Sequence, residues 1–167
     1  MGIRKMSSKT RKIVVHEGFP WGTRTGRVNA ADLKPGMVVT ANGQTAPDID
    51  KPDAAGESAY GVVGCPPESD VDVVLADNSE PDVYLCGSGA VVYVFKKGGA
   101  GGGDVIRGDV VCADDAGDSG YVIPLYKYTA SDVATTQLKA LQAVVGRAME
   151  TLASEASGGP LKVMLNY

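Results

Sequence analysis

The stretch Ser131-Asp-Val-Ala-Thr-Thr-Gln-Leu-Lys-Ala-Leu-Gln-Ala-Val-Val-Gly-Arg-Ala-Met-Glu-Thr-Leu-Ala-Ser154 decides the fold class. Ala134, Leu138, Leu141, Val145, Ala148 and Leu152 alternate at spacings of four and three, the period of an amphipathic helix running to Ser154. Gly146 falls inside that helix and weakens it. The rival reading is a short helix Ser131–Leu141 capped by Ser131, a strand Ala143–Thr151, a Gly-Gly-Pro turn and a last strand Leu161–Asn166.

Two internal echoes favour the strand. Asp32-Leu-Lys-Pro-Gly-Met-Val-Val39 and Asp104-Val-Ile-Arg-Gly-Asp-Val-Val111 share D-[LV]-x-x-G-x-V-V at an offset of 72. Gly36 and Gly108 would free the backbone for a tight turn entering a strand. Gly61-Val-Val-Gly64 matches Ala143-Val-Val-Gly146 at an offset of 82, and the first copy lies in strand-like sequence.

Outward from there the pattern is β. Met37–Ala41, Tyr60–Val63, Val71–Leu75, Val83–Cys86, Ala90–Lys96, Asp109–Ala113 and Tyr121–Tyr126 are short, Val- and Tyr-rich, and bounded by Gly, Pro, Asn or Asp. Thr45–Glu57, with three Asp and two Pro, reads as a loop, and Lys96–Gly103 as a flexible hairpin tip or linker. The chain is therefore expected to be mainly β: a small β-barrel or β-sandwich with an extended N-terminal arm and one short helix near residues 131–141. At 167 residues, one domain is the working unit, and 22 Gly with 9 Pro against 6% aromatics excludes long bundles.

Charge divides the chain at residue 30. Residues 1–30 hold Arg4, Lys5, Lys9, Arg11, Lys12, Arg24 and Arg27 against Glu17 alone, whereas residues 31–167 carry nine basic and nineteen acidic side chains. A basic extended arm (1–30) on an acidic β-rich domain (31–167) is the simplest description. No run of about 20 apolar residues is present and the N-terminus lacks a signal-peptide core, so a cytoplasmically made, non-membrane protein is expected.

Motifs with chemical associations are incomplete. Gly117-Asp-Ser-Gly120 resembles the nucleophile segment of trypsin-like proteases, but Tyr121 follows and the sole histidine, His16, has the wrong setting. Gly98–Gly103 lacks the G-K-[ST] of a phosphate loop and leads into a strand rather than a helix. Asp114, Asp115 and Asp118, and the set Asp70, Asp72, Asp77, Glu80 and Asp82, do not follow a calcium-loop order. Cys65, Cys86 and Cys112 are odd in number and without C-x-x-C, which argues for reduced strand cysteines. The expectation is a non-enzyme without cofactor or metal. Phe19 and Trp21 accompany the cations, too few aromatics for a nucleic-acid platform but suited to anchoring on another protein.

Five segments carry a family resemblance: Arg27-Val-Asn-Ala-Ala-Asp-Leu-Lys-Pro-Gly-Met-Val-Val-Thr40, Ala59-Tyr-Gly-Val-Val-Gly64, Arg107-Gly-Asp-Val-Val111, Val144-Val-Gly-Arg-Ala-Met-Glu-Thr151 and Gly159-Pro-Leu-Lys-Val-Met-Leu165. Together they resemble the head decoration (capsid cement) proteins of tailed viruses. The resemblance implies a β-rich domain on the outer surface of an HK97-type capsid, made in the host cytoplasm, often as a homotrimer, clamping adjacent major capsid subunits. It implies no active site. The long basic arm and the Gly-rich tip depart from the simplest form of that family. The capsid-binding set expected on these grounds is Arg4, Lys5, Lys9, Arg11, Lys12, Phe19, Trp21, Arg24 and Arg27, with Tyr126, Tyr128 and Tyr167 expected between subunits. The alternative reading is a head-attachment or tail/fibre binding module of a virion.

Overall fold

The computed structural model describes residues 14–16, 22–42, 47–54, 56–66, 70–114, 119–128, 134–155 and 158–166. Among them, twelve short strands form two six-stranded sheets. The fold is mainly β, as the sequence pattern requires.

The first sheet runs in the order β2 (Thr23–Thr25), β7 (Asp82–Leu85), β6 (Gly61–Val63), β4 (Val38–Asn42), β5 (Asp48–Asp50), β3 (Arg27–Val28). Its central strands carry adjacent valines because both faces are covered. Val38 and Val62 join a core shared with the second sheet, whereas Val39 and Val63 turn to a core with Val28, Leu33, Met37, Ile49, Leu75 and Val83. A two-sided burial reads as a continuous apolar run rather than as alternation.

The second sheet closes on itself. Strands β8 (Val91–Lys96), β10 (Val122–Pro124), β9 (Val110–Ala113), β11 (Val144–Ala148) and β12 (Gly159–Met164) follow in order, and β12 pairs back onto β8 to complete a five-stranded barrel. The longest ladder is β8 with β12, from Gly159 opposite Lys96 to Met164 opposite Val91. Along β8 the buried positions alternate, Val92, Val94 and Lys96 facing in, and Leu161, Val163 and Leu165 of the β12 segment meet them in the core. Each such valine or leucine contributes roughly 1.5–3 kcal/mol by leaving water. Lys96 is the exception in this interior. Its Nζ donates to the Lys97 carbonyl (3.1 Å), and burial pushes its pKa down against the opposing pull of Asp104 and Glu155. The next residue, Lys97, clamps the buried Asp114 at 2.8 Å and ties the end of β8 to the end of β9.

The internal echo is a structural repeat. In each copy the residue two before the glycine accepts, across a turn, the N–H of the residue just ahead of the strand: Met37 to Lys34 (3.2 Å) and Asp109 to Ile106 (3.0 Å). Gly36 (φ 87°) and Gly108 (φ 99°) take the third turn position, where a type II turn needs positive φ. The following bonds match as well. Gly36 N–H donates to Val63 and Val63 N–H to Met37, just as Gly108 N–H donates to Ala148 and Ala148 N–H to Asp109. The same turn-and-strand unit therefore opens β4 in one sheet and β9 in the other.

The decisive C-terminal stretch divides as the strand reading expects. Helix α2 covers Ala134–Gln142 and stops, and β11 follows, so the helix to Ser154 is not formed. Gly146 explains the choice. A Cβ at that position would lie 2.1 Å from the Met164 carbonyl oxygen, so β11 approaches β12 only because this residue has no side chain.

Other expectations are corrected. Val71–Leu75 is not a strand but an irregular segment joined to Leu33 by one backbone bond, with Val71 and Leu75 buried and Val73 and Val74 exposed. The loop assigned to 45–57 contains β5, and β10 is three residues long before the chain enters a 3-10 turn at Leu125–Lys127. The Gly-rich tip folds as one helical turn, α1 (Gly99–Gly102), pinned by Gly99 N–H to the Glu155 carbonyl (2.7 Å) and by Ser154 Oγ–H to the Gly99 carbonyl. The end of the basic segment is built into both sheets: β1 (Val14–His16) pairs with β8, β2 with β7 and β3 with β5.

Candidate functional site

Of the nine residues expected to bind a capsid, Arg4, Lys5, Lys9, Arg11, Lys12, Phe19 and Trp21 lie outside the described residues. Arg24 and Arg27 sit on β2 and β3. Arg24 is exposed, and its Nη1 donates to the Thr23 carbonyl (3.1 Å). Arg27 has a partner within the chain: its Nε and Nη2 both reach Asp48 Oδ1 at 2.6 Å, reinforcing the parallel pair β3–β5. The hydrogen bond and charge of Arg27 hold the Asp48 carboxyl below the usual carboxylate range, and Asp48 in turn raises the guanidinium.

The protease-like elements gain no support from the strand register: His16 lies on β1, opposite Val91 of β8, and Ser119 lies in the segment leading into β10. The Gly99 amide is occupied by Glu155 rather than open to an anion. Among the described residues no three His, Cys, Asp or Glu converge on a metal position. Asp114 is committed to Lys97, and Asp115 and Asp118 lie outside the described residues. Burial pushes the Cys86 thiol up to about 12, which removes it as a nucleophile at neutral pH.

The surface feature that sequence reasoning missed is an apolar groove of about 290 Å³ on the barrel, lined by Val110, Leu125, Leu141, Val144, Gly146, Arg147 and Asn166. Leu138 and Leu141 of α2, two members of the helical periodicity read in the sequence, are 63% and 60% exposed, while Ala140 is buried. Among the described side chains of α2, Ala140 is the buried one and both leucines face water. Periodicity identifies such a stripe but not the side on which the protein lies. Arg147 borders the groove with Nη1 donating to the Gly108 carbonyl (3.2 Å). Asn166 Oδ1 is buried there without a hydrogen bond among the described residues. A second recess, about 170 Å³ and polar, lies between Gly64–Pro66 and Glu80–Tyr84. Tyr126 is exposed with its hydroxyl on the Asp104 carbonyl (2.7 Å). Tyr128 is buried in the chain's own core, and Tyr167 lies outside the described residues.

No family model matches the chain, and no curated protein matches it. A solved structure, the head fiber gp8.5 N base in bacteriophage phi29, aligns with a TM-score of 0.45 and 13% sequence identity, over 86% of this chain and 92% of that one.

Proposed function

We propose that this chain is a structural virion protein that binds the outer surface of a capsid and clamps adjacent major capsid subunits, assembling with itself as a trimer. The resemblance of its turn-and-strand segments to head decoration proteins motivates the reading. The observation that carries it is the anchoring of the basic segment. Residues 1–12 carry five cations and no acid, and the chain that follows them is hydrogen bonded first to the barrel through β1 and then to the other sheet through β2 and β3. A pull on such an arm meets the barrel first, through β1. The body beneath is acidic, so the arm is drawn to an acidic surface of a neighbour, and the repeated joints of a shell multiply modest contacts into firm attachment. No enzymatic role is part of this proposal.

Co-sedimentation with purified expanded capsids tests it. The full chain is expected to pellet with shells in a fixed ratio, and a chain lacking residues 2–12, which keeps every described strand, to remain in the supernatant at the same concentration. Equal pelleting of the two would refute the arm's role, and absence of both from shells but presence on isolated tails or fibres would favour a fibre module.

A further inference from the structure

We propose that the groove between α2 and β9–β11 is the surface through which a second copy of this chain docks. The inference deepens the self-association part of the reading above and rests on it, but not on the capsid. It starts from the internal repeat. In the first sheet the turn Lys34–Met37 is covered by the barrel of the same chain: Phe95 N–H donates to the Gly36 carbonyl (3.2 Å), Val38 N–H donates to the Gly120 carbonyl (2.8 Å), and Val38 is fully buried. The equivalent turn in the barrel, Ile106–Asp109, has no such cover. Ile106 is 62% exposed, the Gly108 carbonyl is met by Arg147 alone among the described contacts, and Val110, the counterpart of Val38, lines the open groove. One copy of the unit is docked within the chain, and the other presents the same edge to water.

Charge selects the occupant. The body of residues 31–167 carries ten more acids than bases, so two copies repel wherever their carboxylates meet. The other exposed apolar pair, Val73 and Val74, sits in sequence among Asp70, Asp72 and Asp77 and is closed to self-contact for that reason. Of the seven groove residues only Arg147 is charged, and it is positive. This is the charge-poor apolar face on which an acidic protein can meet itself.

Sedimentation velocity on the full chain without capsids is the test. The wild type is expected to sediment as a multiple of 17.2 kDa, and the double variant Leu138→Glu/Leu141→Glu as the 17.2 kDa monomer, with an unchanged circular dichroism spectrum. Both leucines are exposed in the free chain, so the fold does not depend on them. Should that variant melt non-cooperatively, Ile106→Glu gives the same reading from the turn. Val73→Glu/Val74→Glu should leave the mass unchanged. A monomeric wild type, a groove variant that keeps the wild-type mass, or dissociation by the Val73/Val74 variant alone would each overturn the proposal. Capsid co-sedimentation of the monomeric variant separates the two readings, because arm-mediated binding survives loss of the oligomer, in reduced amount.

Discussion

Replacing Gly146 by alanine discriminates between the two readings of the C-terminal stretch by the sign of its effect. In a helix spanning residues 131–154, Gly→Ala would stabilise the protein by about 1 kcal/mol, the difference in helix propensity. In the structure, the new Cβ would stand 2.1 Å from the Met164 oxygen, 2.9 Å from the Met164 carbonyl carbon and 3.0 Å from Val163 Cγ1. Ordinary contact begins near 3.4 Å, so the two backbones must separate by more than an ångström. Strand β12 cannot simply retreat, because its other edge is held to β8 over six residue pairs. Overpacking of this kind costs about 1–3 kcal/mol, and each ladder bond loosened adds about 1 kcal/mol. A loss of about 2–4 kcal/mol lowers the melting midpoint of a domain this size by roughly 4–16 °C. Thermal unfolding followed by circular dichroism and calorimetry is the assay. An unchanged or raised midpoint would refute the close β11–β12 packing.

Gly108→Ala should cost about 1–2 kcal/mol from positive φ alone, since its Cβ would meet nothing within 4 Å, while Gly159→Ala, equally open but without positive φ, should be neutral; equal midpoints for the two variants would contradict the turn repeat. Asp48 has a folded-state pKa below its unfolded value, so the stability it contributes is present above the unfolded carboxylate pKa and fades as pH falls through the lower folded value; Asp48→Asn should remove that part of the acid dependence and high salt should diminish it, as urea titrations from pH 7 to 2 would show. With its thiol pushed up to about 12, half-buried Cys86 should be alkylated more slowly at pH 8 in native protein than once urea unfolds it, and equally rapid labelling of the two states by peptide mass mapping would contradict the raised value.

Most of the fold is legible because burial writes itself into the strands. Alternation marks β8, where Val92 and Val94 face the barrel, and paired valines mark β4 and β6, whose two faces are both covered. The D-x-x-x-G-x-V-V echo is legible because a type II turn has one position that only glycine fills readily. What is missed is physically specific. Strand β5 is Asp-Ile-Asp, with a single buried residue, Ile49, held by its neighbours rather than by its own pattern. The segment Val71–Leu75 is Val-rich like a strand, but among the described residues it is joined to Leu33 by one backbone bond and finds no partner ladder. The pairing of Arg27 with Asp48, twenty-one residues away in sequence, has no local signature. The groove leaves no local signal, because an apolar stripe on α2 has the same spelling whether it faces the core or a second protein.

The central claim is most directly tested by reconstructing expanded capsids incubated with the full-length chain. The account predicts density for the β domain on the outer surface at the joints between major capsid subunits, with the N-terminal segment extending from β1 onto the neighbouring subunit. Density confined to a tail or fibre base, or shells left bare at saturating protein, would contradict it.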